Sequence, residues 1–380
     1  MPGQEEVQAR VDRLAAAWRQ TAAERDLAGG HAAREREQLR ESGLLGLTIA
    51  RAHGGWGAPW SVFYDALRRL AGADSALAHL FAFHHLQLAT VLLYGSAEQQ
   101  QRLLGRSIER GLFWGNALNP NDRRAVAQVD RDGAVVHGSK SFCSGSVGSD
   151  MLTVSAWHEP TQTFLTGVVP SRARGVTIEE DWDAFGQRQT DSGTVHFDEV
   201  RVPSADILVA PGVRPGVRAT LRAQFAQLIL VHLYLGIAEG ALSEALHFVP
   251  DSRREADDPY LLQRLAELHL QLRPARVLAE QAAARLEAAY GRGEALTPRE
   301  RGEVAVAVIE AKVLAHRAAL AVCSQLFEVT GARSTSRRHA LDRFWRNARV
   351  HTLHDPIDLK LRDLGRHVLD GRYPEPTPYS

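Results

Sequence analysis

The feature that most constrains the fold is a change of hydrophobic period along the chain, from helical to strand-like and back to helical. Across residues 5–110, apolar residues such as Val11 and Leu14 recur every three or four positions, which predicts helices. Across residues 113–203 the apolar runs become short, β-branched and bounded by glycine, aspartate or proline, which predicts strands. Helical periodicity then returns over residues 216–367.

Helices, then strands, then longer helices predict an α+β fold, which we divide into domains at residues 1–112, 113–216 and 217–380. Strands and helices do not alternate, so the pattern excludes a doubly wound nucleotide-binding sheet. The sequence also lacks a Gly-x-Gly-x-x-Gly motif after a strand, a P-loop and a nucleophile elbow. We therefore expect no nicotinamide-binding domain.

Glycine and proline mark where the chain turns. The cluster Gly54–Gly57 predicts a turn into a new helix, with Ser61 as a candidate N-cap. Asp257–Pro259 and Gly291–Gly293 predict breaks between long helices. The proline-rich stretch Tyr373–Pro378 cannot continue a helix, so we expect it to lie extended on the surface.

Charge and apolar runs limit the classes of partner. Forty-five basic and forty-five acidic residues give a net charge of zero, which excludes a global basic field for nucleic acid or an anionic membrane. The first residues lack a signal-peptide core, and the most apolar run, Phe225–Ile237, is interrupted and too short for a membrane span. The two cysteines, Cys143 and Cys323, favour a reducing compartment. We expect a soluble cytoplasmic protein.

Several motifs follow one another in a specific order. They are Ala52–Gly57, Gly138–Ser144, Trp182–Thr190 and Val195–Pro203. Together they resemble the successive signatures of the acyl-CoA dehydrogenase superfamily, and the resemblance covers nearly the whole chain. It implies an N-terminal helical domain, a middle β barrel and a C-terminal four-helix bundle. It also implies a flavin held between the β domain and the bundle, and a homotetramer.

Two departures from the dehydrogenases carry information. Where they have paired glycines that let FAD of a neighbouring subunit approach, this chain has Glu328 and Val329. We therefore expect FMN to bind better than FAD. Where they have a catalytic glutamate, the segment His351–Pro356 places Asp355 in its register.

The segment Phe344–Pro356 is similar to the flavin-dependent monooxygenase branch, which contains the dibenzothiophene monooxygenases and the sulfur-acquisition oxidoreductases. Asp257–Tyr260 also resembles that branch. The resemblance implies a two-component enzyme: a separate flavin reductase supplies reduced FMN, O₂ adds to form a C4a-hydroperoxide, and a small sulfur-containing substrate is oxygenated. Three alternatives remain: an acyl-CoA dehydrogenase with FAD, an amine N-hydroxylase, and a non-catalytic binding protein.

Candidate site residues follow from these motifs. Ser144 stands at a strand end, and the resemblance makes it the hydroxyl beside flavin N5; the alternative is a turn serine. Asn116 offers a donor and an acceptor for the flavin pyrimidine edge or a substrate. His79 falls in the family's substrate-facing helix, and the alternative is an interior histidine bonded to backbone. His84 and His85 are weaker candidates.

His351 and His354 are three residues apart and share one face of a helix, which suits acid–base chemistry. We expect His354 to be the catalytic histidine because it lies nearer the register of the dehydrogenase carboxylate. Asp355, before Pro356, is expected to orient or cap. No further Cys/His pair at metal-ligand spacing is present, so no metal site is expected.

Aromatic and basic residues complete the expected cofactor site. Phe142, Trp182 and Phe327 are candidates to contact the flavin. Aromatic residues that could line the pocket, or alternatively belong to an aromatic core, are Phe81, Phe83, Trp114, Phe142, Trp182 and Phe327. Six arginines against one aspartate over residues 333–349 form either a solvated basic face or a phosphate site, for which Arg346 is the candidate.

Overall fold

The computed structural model describes residues 3–249 and 257–380, and its first part is helical. The helices are α1 (Gln4–Ala28), α2 (Ala33–Glu41), α3 (Trp60–Ala73), α4 (Ser75–Tyr94) and α5 (Ala97–Arg110). Asp74 begins α4 by accepting hydrogen bonds from the Ala76 and Leu77 amides, which would otherwise have no partner. Almost every side chain of α4 is buried, so this helix forms the centre of the helical core.

The middle part is one eight-stranded sheet. Its strands are β1 (Trp114–Ala117), β2 (Val126–Asp130), β3 (Gly133–Lys140), β4 (Met151–His158), β5 (Thr163–Pro170), β6 (Val176–Ile178), β7 (Val195–Pro203) and β8 (Ile207–Val209). Their order is β6-β7-β3-β2-β4-β5-β8, with β1 parallel to β4 beside this path. The sheet has its own core of alanine and valine side chains, separate from the helical core. The strand-like segments of the sequence are thereby confirmed.

The last part is helical again. Its helices are α6 (Leu221–Phe248), α7 (Pro259–Gly291), α8 (Pro298–Thr330), α9 (Asp342–Thr352) and α10 (Ile357–Asp370). The helices α6, α7 and α8 pack on one another, α10 packs on α8, and α6 also packs against α3 and α4. The predicted breaks are confirmed, because the Asp258 side chain caps α7 and that helix ends at Gly291.

The predicted glycine turn is present, but its cap is not. A Cβ atom at Gly55 would lie 2.2 Å from the Ile49 carbonyl oxygen, so only glycine fits there. The next helix begins at Trp60 rather than after Ser61. The prediction that Ser61 is an N-cap is wrong, since its hydroxyl donates to the Glu287 carboxylate on α7 at 2.8 Å.

The tail, residues 373–380, forms no helix, as predicted, but it closes in a turn over residues 377–380 and does not lie only on the surface. The buried Arg301 guanidinium donates to the Pro374 carbonyl at 2.9 Å and to the Ser380 carbonyl. Lys360 donates to the Tyr379 carbonyl. These buried cations need acceptors, and the tail supplies them. The expectation of a purely superficial tail is therefore corrected.

Two helical segments are long and apolar enough to cross a membrane by length and composition: Ser75–Tyr94 and Arg218–Phe248. Their apolar windows are 100 % and 83 % buried inside the protein, as in core helices. The run Phe225–Ile237 is thus part of a helix longer than its sequence indicated.

All three lysines of the chain are buried. Lys140, Lys312 and Lys360 are 0 %, 1 % and 3 % exposed. The Lys140 ammonium donates to the Asn119 carbonyl at 2.9 Å, and the other two have acceptors of their own. Exposed basic side chains are therefore arginines and histidines.

Candidate active site

A cavity of about 880 Å³ lies where the sheet meets helices α4 and α6 and the segment that follows α9. This volume is typical of a cofactor or small-molecule site. The structure brings seven of the predicted site residues to its wall: His79, Asn116, Phe142, Ser144, Trp182, His351 and His354. It does not bring Phe327 or Arg346 there.

Ser144 is held by a chain of hydroxyl groups. Its Oγ lies 3.0 Å from Ser192 Oγ, which lies 2.8 Å from Thr190 Oγ1. Thr190 in turn donates to the Gln187 carbonyl at 3.0 Å. The Ser144 carbonyl accepts from the Asn116 amide at 2.9 Å, which ties it to strand β1. The Ser144 hydroxyl is therefore fixed at the cavity wall, whereas a simple turn serine would have only local bonds.

Two side-chain amides leave hydrogen-bonding groups for a ligand. Asn116 Oδ1 accepts from the Leu118 amide at 3.1 Å. Gln187 Nε2 donates to Ser75 Oγ at 3.0 Å, and Gln187 Oε1 is buried without a hydrogen-bond partner among residues 3–249 and 257–380. A buried acceptor left unpaired is costly, so Oε1 is suited to a donor on a bound molecule.

Aromatic side chains form an apolar edge on the sheet side of the cavity. Phe142 and Trp182 meet edge to face with ring centroids 6.0 Å apart. The Trp182 indole donates to the Gln187 carbonyl at 2.8 Å, which fixes its ring. Phe142 has a positive φ of 59°, and its side chain is 63 % exposed. An exposed aromatic residue in this strained conformation is suited to covering a planar ligand.

His79 has no hydrogen-bond partner at either ring nitrogen among the described residues, although it is buried. Its ring stacks on Phe83 at 3.9 Å and lies 5.0 Å from the ring of His351. Burial, and then the neighbouring His351 and His354, lower the pKa of His79 well below its usual value. The imidazole is therefore neutral, and its ring forms part of the cavity wall.

His84 and His85, on the same helix, have structural roles. His84 Nε2 lies 3.0 Å from the Leu45 carbonyl, and His84 Nδ1 accepts from the Trp114 amide. His85 Nε2 lies 3.0 Å from the Leu44 carbonyl. Neither histidine lines the cavity. The interior-histidine alternative thus describes these two residues and not His79.

His351 and His354 both line the cavity, but the prediction that they share one face of a helix is wrong, because α9 ends at Thr352 and His354 lies in the bend that follows. The two rings also differ in environment. His351 is buried, and burial followed by the proximity of His354 lowers its pKa to about 3. His354 has a side chain that is 37 % exposed, and its ring lies 5.8 Å from that of Tyr379. His354 Nδ1 is 3.4 Å from Asp355 Oδ1. Of the two, His354 has both solvent contact and an acidic neighbour.

Asp355 is buried in an ionic cluster behind His354. It pairs with Lys312, and its second oxygen lies 3.6 Å from Lys360 Nζ. Burial alone would raise the pKa of Asp355, but the contact with His354 and the charge of Lys312 hold it well below the usual range. Burial lowers the pKa of Lys312 to about 8 against the opposing effect of Asp355.

Four expected site or pocket residues lie elsewhere. Arg346 pairs with Asp26 and Asp342, and Phe327 packs half-buried against the helical core. Their cofactor roles therefore stay predictions. The expectation that Phe81 and Trp114 line the pocket is wrong, because both are core residues with no more than 1 % exposure.

Polar cavity residues that the sequence does not single out include Gln187, Arg222, Gln227 and Tyr379. Gln187 lies inside the motif 182–190, which was the available signal. Arg222 is a charged residue at the start of a long apolar helix, which is a weaker signal of a functional site. Nothing local indicated that Tyr379 would reach the cavity, because its position depends on distant contacts.

Comparisons with known proteins agree with this architecture. Family models described as acyl-CoA dehydrogenase N-terminal, middle and C-terminal domains match residues 1–110, 117–200 and 228–358. The chain is 44 % identical over 377 residues to a protein of Pseudomonas putida named probable FMNH2-dependent monooxygenase SfnC. That alignment covers 97 % of this chain and 95 % of the relative.

Two solved structures are similar over essentially their whole length. Methanesulfinate monooxygenase MsuC of Pseudomonas fluorescens has a TM-score of 0.96 and 44 % identity, with 100 % of both chains covered. FMN-bound TdsC of Paenibacillus sp. A11-2, a dibenzothiophene monooxygenase, has a TM-score of 0.94 and 38 % identity, covering 99 % of this chain and 100 % of TdsC. The resemblance and fold class expected from the motifs are confirmed, and the chain belongs to the acyl-CoA dehydrogenase family.

Proposed function

We propose that this protein is a two-component flavin-dependent monooxygenase that uses reduced FMN and O₂ to oxygenate a small sulfur-containing substrate. The observation that carries the proposal is that one cavity of about 880 Å³ gathers Ser144, Asn116, His351 and His354. The similarity to proteins named as FMNH2-dependent, methanesulfinate and dibenzothiophene monooxygenases supports it.

The residues present fit a flavin. The unpaired Gln187 Oε1 and the Asn116 amide offer an acceptor and a donor, as the polar edge of an isoalloxazine requires. Phe142 and Trp182 offer apolar surface, and Ser144 offers a hydroxyl at the wall. We assign these five side chains to holding the ring. The phosphate contact, for which Arg346 stays the candidate, is a further proposal.

Reduced FMN, when bound, supplies two electrons, so that one atom of O₂ forms a new bond to the substrate and the other leaves as water. The protein has two tasks around it. Ser144 holds its hydroxyl in place through Ser192 and Thr190, and the aromatic residues exclude water. His354 carries a proton to and from the reacting oxygen, and the neutral rings of His79 and His351 orient the substrate.

The main rival, an acyl-CoA dehydrogenase with FAD, needs a carboxylate base. Asp355 holds the register of that base, but it is buried and ion-paired with Lys312. A carboxylate whose pKa is held well below its usual range is a poor acceptor for a proton on carbon. This pairing favours the monooxygenase over the dehydrogenase.

We further propose a separate flavin reductase as partner, a homotetrameric assembly and a soluble cytoplasmic location. The family relationship supports each of them. Residues 1–112, 113–216 and 217–380 remain our proposed domains, with the cavity at their junction. Binding of nucleic acid or membrane is not part of this proposal, since the net charge is zero.

The test supplies chemically reduced FMN to the purified protein under ¹⁸O₂, with methanesulfinate and dibenzothiophene as trial substrates. We expect ¹⁸O in an oxygenated product, and weaker binding of FAD than of FMN in calorimetric titration. A tightly bound FAD that is bleached by an acyl-CoA would favour the dehydrogenase instead. Oxygen transfer only to amines would favour the N-hydroxylase, and none to any substrate would favour the non-catalytic alternative.

A further inference from the structure

Arg222 projects from the first turn of α6 to the wall of the cavity. Its Nε donates to Thr90 Oγ1 at 2.7 Å, and the Thr90 hydroxyl proton is directed to the Leu86 carbonyl at 2.8 Å. Thr90 therefore acts as an acceptor for Arg222 and fixes the guanidinium. No other hydrogen bond to Arg222 occurs within residues 3–249 and 257–380.

The charge of Arg222 has no carboxylate partner in the described part of the chain. Burial lowers its pKa, and the groups that oppose this effect are the phenols of Tyr94 and Tyr379. An arginine nevertheless keeps its proton in proteins, so the cavity contains a fixed positive charge. The carboxylates on its wall, Asp181 and Asp183, belong to the loop before β7, and Asp181 is occupied by Thr194.

Several buried cations in the described part of the chain have oxygen acceptors. Arg36 pairs with Asp191 at 2.5 Å, Lys312 pairs with Asp355, and all three groups of the Arg301 side chain have oxygen acceptors. Leaving a charge without a partner in a partly desolvated site is costly. Arg222 is half-buried, it has no such partner among the described residues, and it lines the cavity.

A second donor lies five residues further along α6. Gln227 also lines the cavity, and its Oε1 accepts from the Lys312 ammonium. The amide nitrogen of Gln227 is thereby left as a donor, since its oxygen is already used. Arg222 and Gln227 therefore bring a positive charge and N–H donors to the same cavity, which is the pattern of an oxyanion site.

We propose that Arg222, with Gln227, binds the anionic group of the substrate, so that the substrate is a small organic oxyanion rather than a neutral aromatic sulfide. This inference rests on the proposed function and specifies its substrate class. The anion has two sources: a sulfinate, in which the charged group itself is oxidised, or a carboxylate with the oxidisable sulfur elsewhere in the molecule.

The experiment measures binding to the flavin-free protein by calorimetric titration with two matched pairs of probes. Methanesulfinate is compared with dimethyl sulfoxide, and 3-(methylthio)propanoate with 3-(methylthio)propanamide. Within each pair the skeleton is similar and the charge differs. The variants are Arg222→Gln, Arg222→Lys and, as a matched control, Arg218→Gln, whose arginine does not line the cavity.

We expect at least one anion to bind the wild type more tightly than its neutral counterpart. Arg222→Gln should weaken that anion by about tenfold to a hundredfold, Arg222→Lys by less, and Arg218→Gln not at all. The anion should also raise the melting temperature of the wild type but not of Arg222→Gln, which checks that this variant is folded. A difference within the methanesulfinate pair identifies a sulfinate as the charged group, and a difference within the 3-(methylthio)propanoate pair identifies a carboxylate.

Equal binding of both members of each pair, or an unchanged affinity in Arg222→Gln, would overturn the proposal. The same proteins are then assayed for oxygen transfer with reduced FMN. Transfer to dibenzothiophene without any dependence on Arg222 would overturn the anion site and leave the monooxygenase standing. Arg222-dependent anion binding without oxygen transfer to any probe would overturn the monooxygenase and leave the anion site standing.

Discussion

At the scale of single residues, chemistry in this cavity depends on which polar atoms have no hydrogen bond or ion pair within the protein and can therefore contact a ligand. Ser144, Asn116 and His79 are fixed by neighbours that leave a hydroxyl, an amide or an imidazole facing the cavity. Lys312 and Asp355 satisfy each other and present no free charge. Whether a polar group is available to a ligand or paired within the protein depends on partners far away in the sequence. This difference determines which variants should affect the reaction.

Replacing His354 by alanine should lower oxygenation by about a hundredfold or more, because a positioned general acid contributes about that factor. Flavin affinity should change little, because the ring is partly exposed and contacts Asp355 and Tyr379. The matched variant His351→Ala should be milder, since that imidazole stays neutral with a pKa of about 3. Product formation and flavin titration of both variants are the measurements; a reversed order would exchange the two roles.

Ser144→Ala should keep the fold and reduce the fraction of oxygen that reaches the product. Loss of a hydrogen bond to a buried group costs about 1–3 kcal/mol, or roughly tenfold to a hundredfold in a rate. Ser192→Ala is the control, because it removes the support of Ser144 without removing the hydroxyl itself. The ratio of product to hydrogen peroxide is measured, and an unchanged ratio in Ser144→Ala would remove this serine from the site.

Only some of the polar residues that line the cavity could be identified from the sequence. Ser144 stands in the ordered motif Gly138–Ser144, and His351 and His354 stand in the segment Phe344–Pro356, so these patterns make them candidates. The cavity contains all three, together with Asn116, and their roles stay predictions. His79, His84 and His85 look alike in the sequence, and only their contacts with residues 44 and 45 separate them. Tyr379 reaches the cavity because Arg301 and Lys360 hold the tail, a long-range contact without a local pattern.

At the scale of elements, the loop between β6 and β7 is the component that shapes the cavity on the sheet side. It contributes Trp182, Gln187 and Thr190, and it is anchored on α9 where the Gln187 amide donates to Asn347 Oδ1 at 2.6 Å. A Cβ atom at Gly186 would lie 2.4 Å from the Arg346 carbonyl oxygen. The loop can approach α9 this closely only because residue 186 is glycine.

Gly186→Ala should therefore displace the loop and weaken flavin binding. The clash is with backbone atoms of α9, which cannot move aside, so we expect a loss of about 1–3 kcal/mol in unfolding free energy. Gly105→Ala is the control, because a Cβ atom there meets nothing within 4 Å. Chemical denaturation and flavin titration compare the two. Equal stability of both variants would show that the loop does not depend on this contact.

Element order was predictable because the hydrophobic period is a local property, and every strand-like run became a strand. The position of the loop between β6 and β7 was not predictable, because it depends on Gly186, whose neighbours on α9 are 160 residues away in the sequence. The C-terminal helices followed the same rule: their breaks at 257–259 and 291–293 were visible, while their packing against α3 and α4 was not.

At the scale of the whole molecule, one helical core joins the first and last parts of the chain and encloses many imidazoles. Burial lowers the pKa of His84 to about 4 and of His232 to about 3, and it lowers those of His79 and His85 well below the usual value. His351 behaves in the same way. These rings are neutral in the folded protein and charged in an acidic unfolded chain.

Stability should therefore fall as the pH decreases below about 6.5. The unfolded chain binds more protons than the folded one between about pH 6.5 and the folded pKa values near 3 to 4, so each such histidine costs about 1.4 kcal/mol per pH unit there. Above pH 7 this cost vanishes. Melting temperatures from pH 8 to pH 5 measure it.

His232→Leu provides the control for this pH dependence. His232 is buried, lies outside the cavity and has no partner at either nitrogen within the described residues. Without His232, the free energy of unfolding should fall less steeply as the pH decreases, by the contribution of one histidine. The reaction should not be affected. A melting temperature that does not change between pH 7 and pH 5 in the wild type would contradict the assignment of neutral buried histidines.

The burial of all three lysines makes the native protein inert to covalent labelling of side-chain amines. Reagents that acylate primary amines find Lys140, Lys312 and Lys360 at 3 % exposure or less, each already donating to an acceptor. The side-chain amines become reactive only when the chain opens. Mass spectrometry of acylated lysines would therefore report local opening separately: Lys140 for the sheet, and Lys312 and Lys360 for the ionic cluster behind His354.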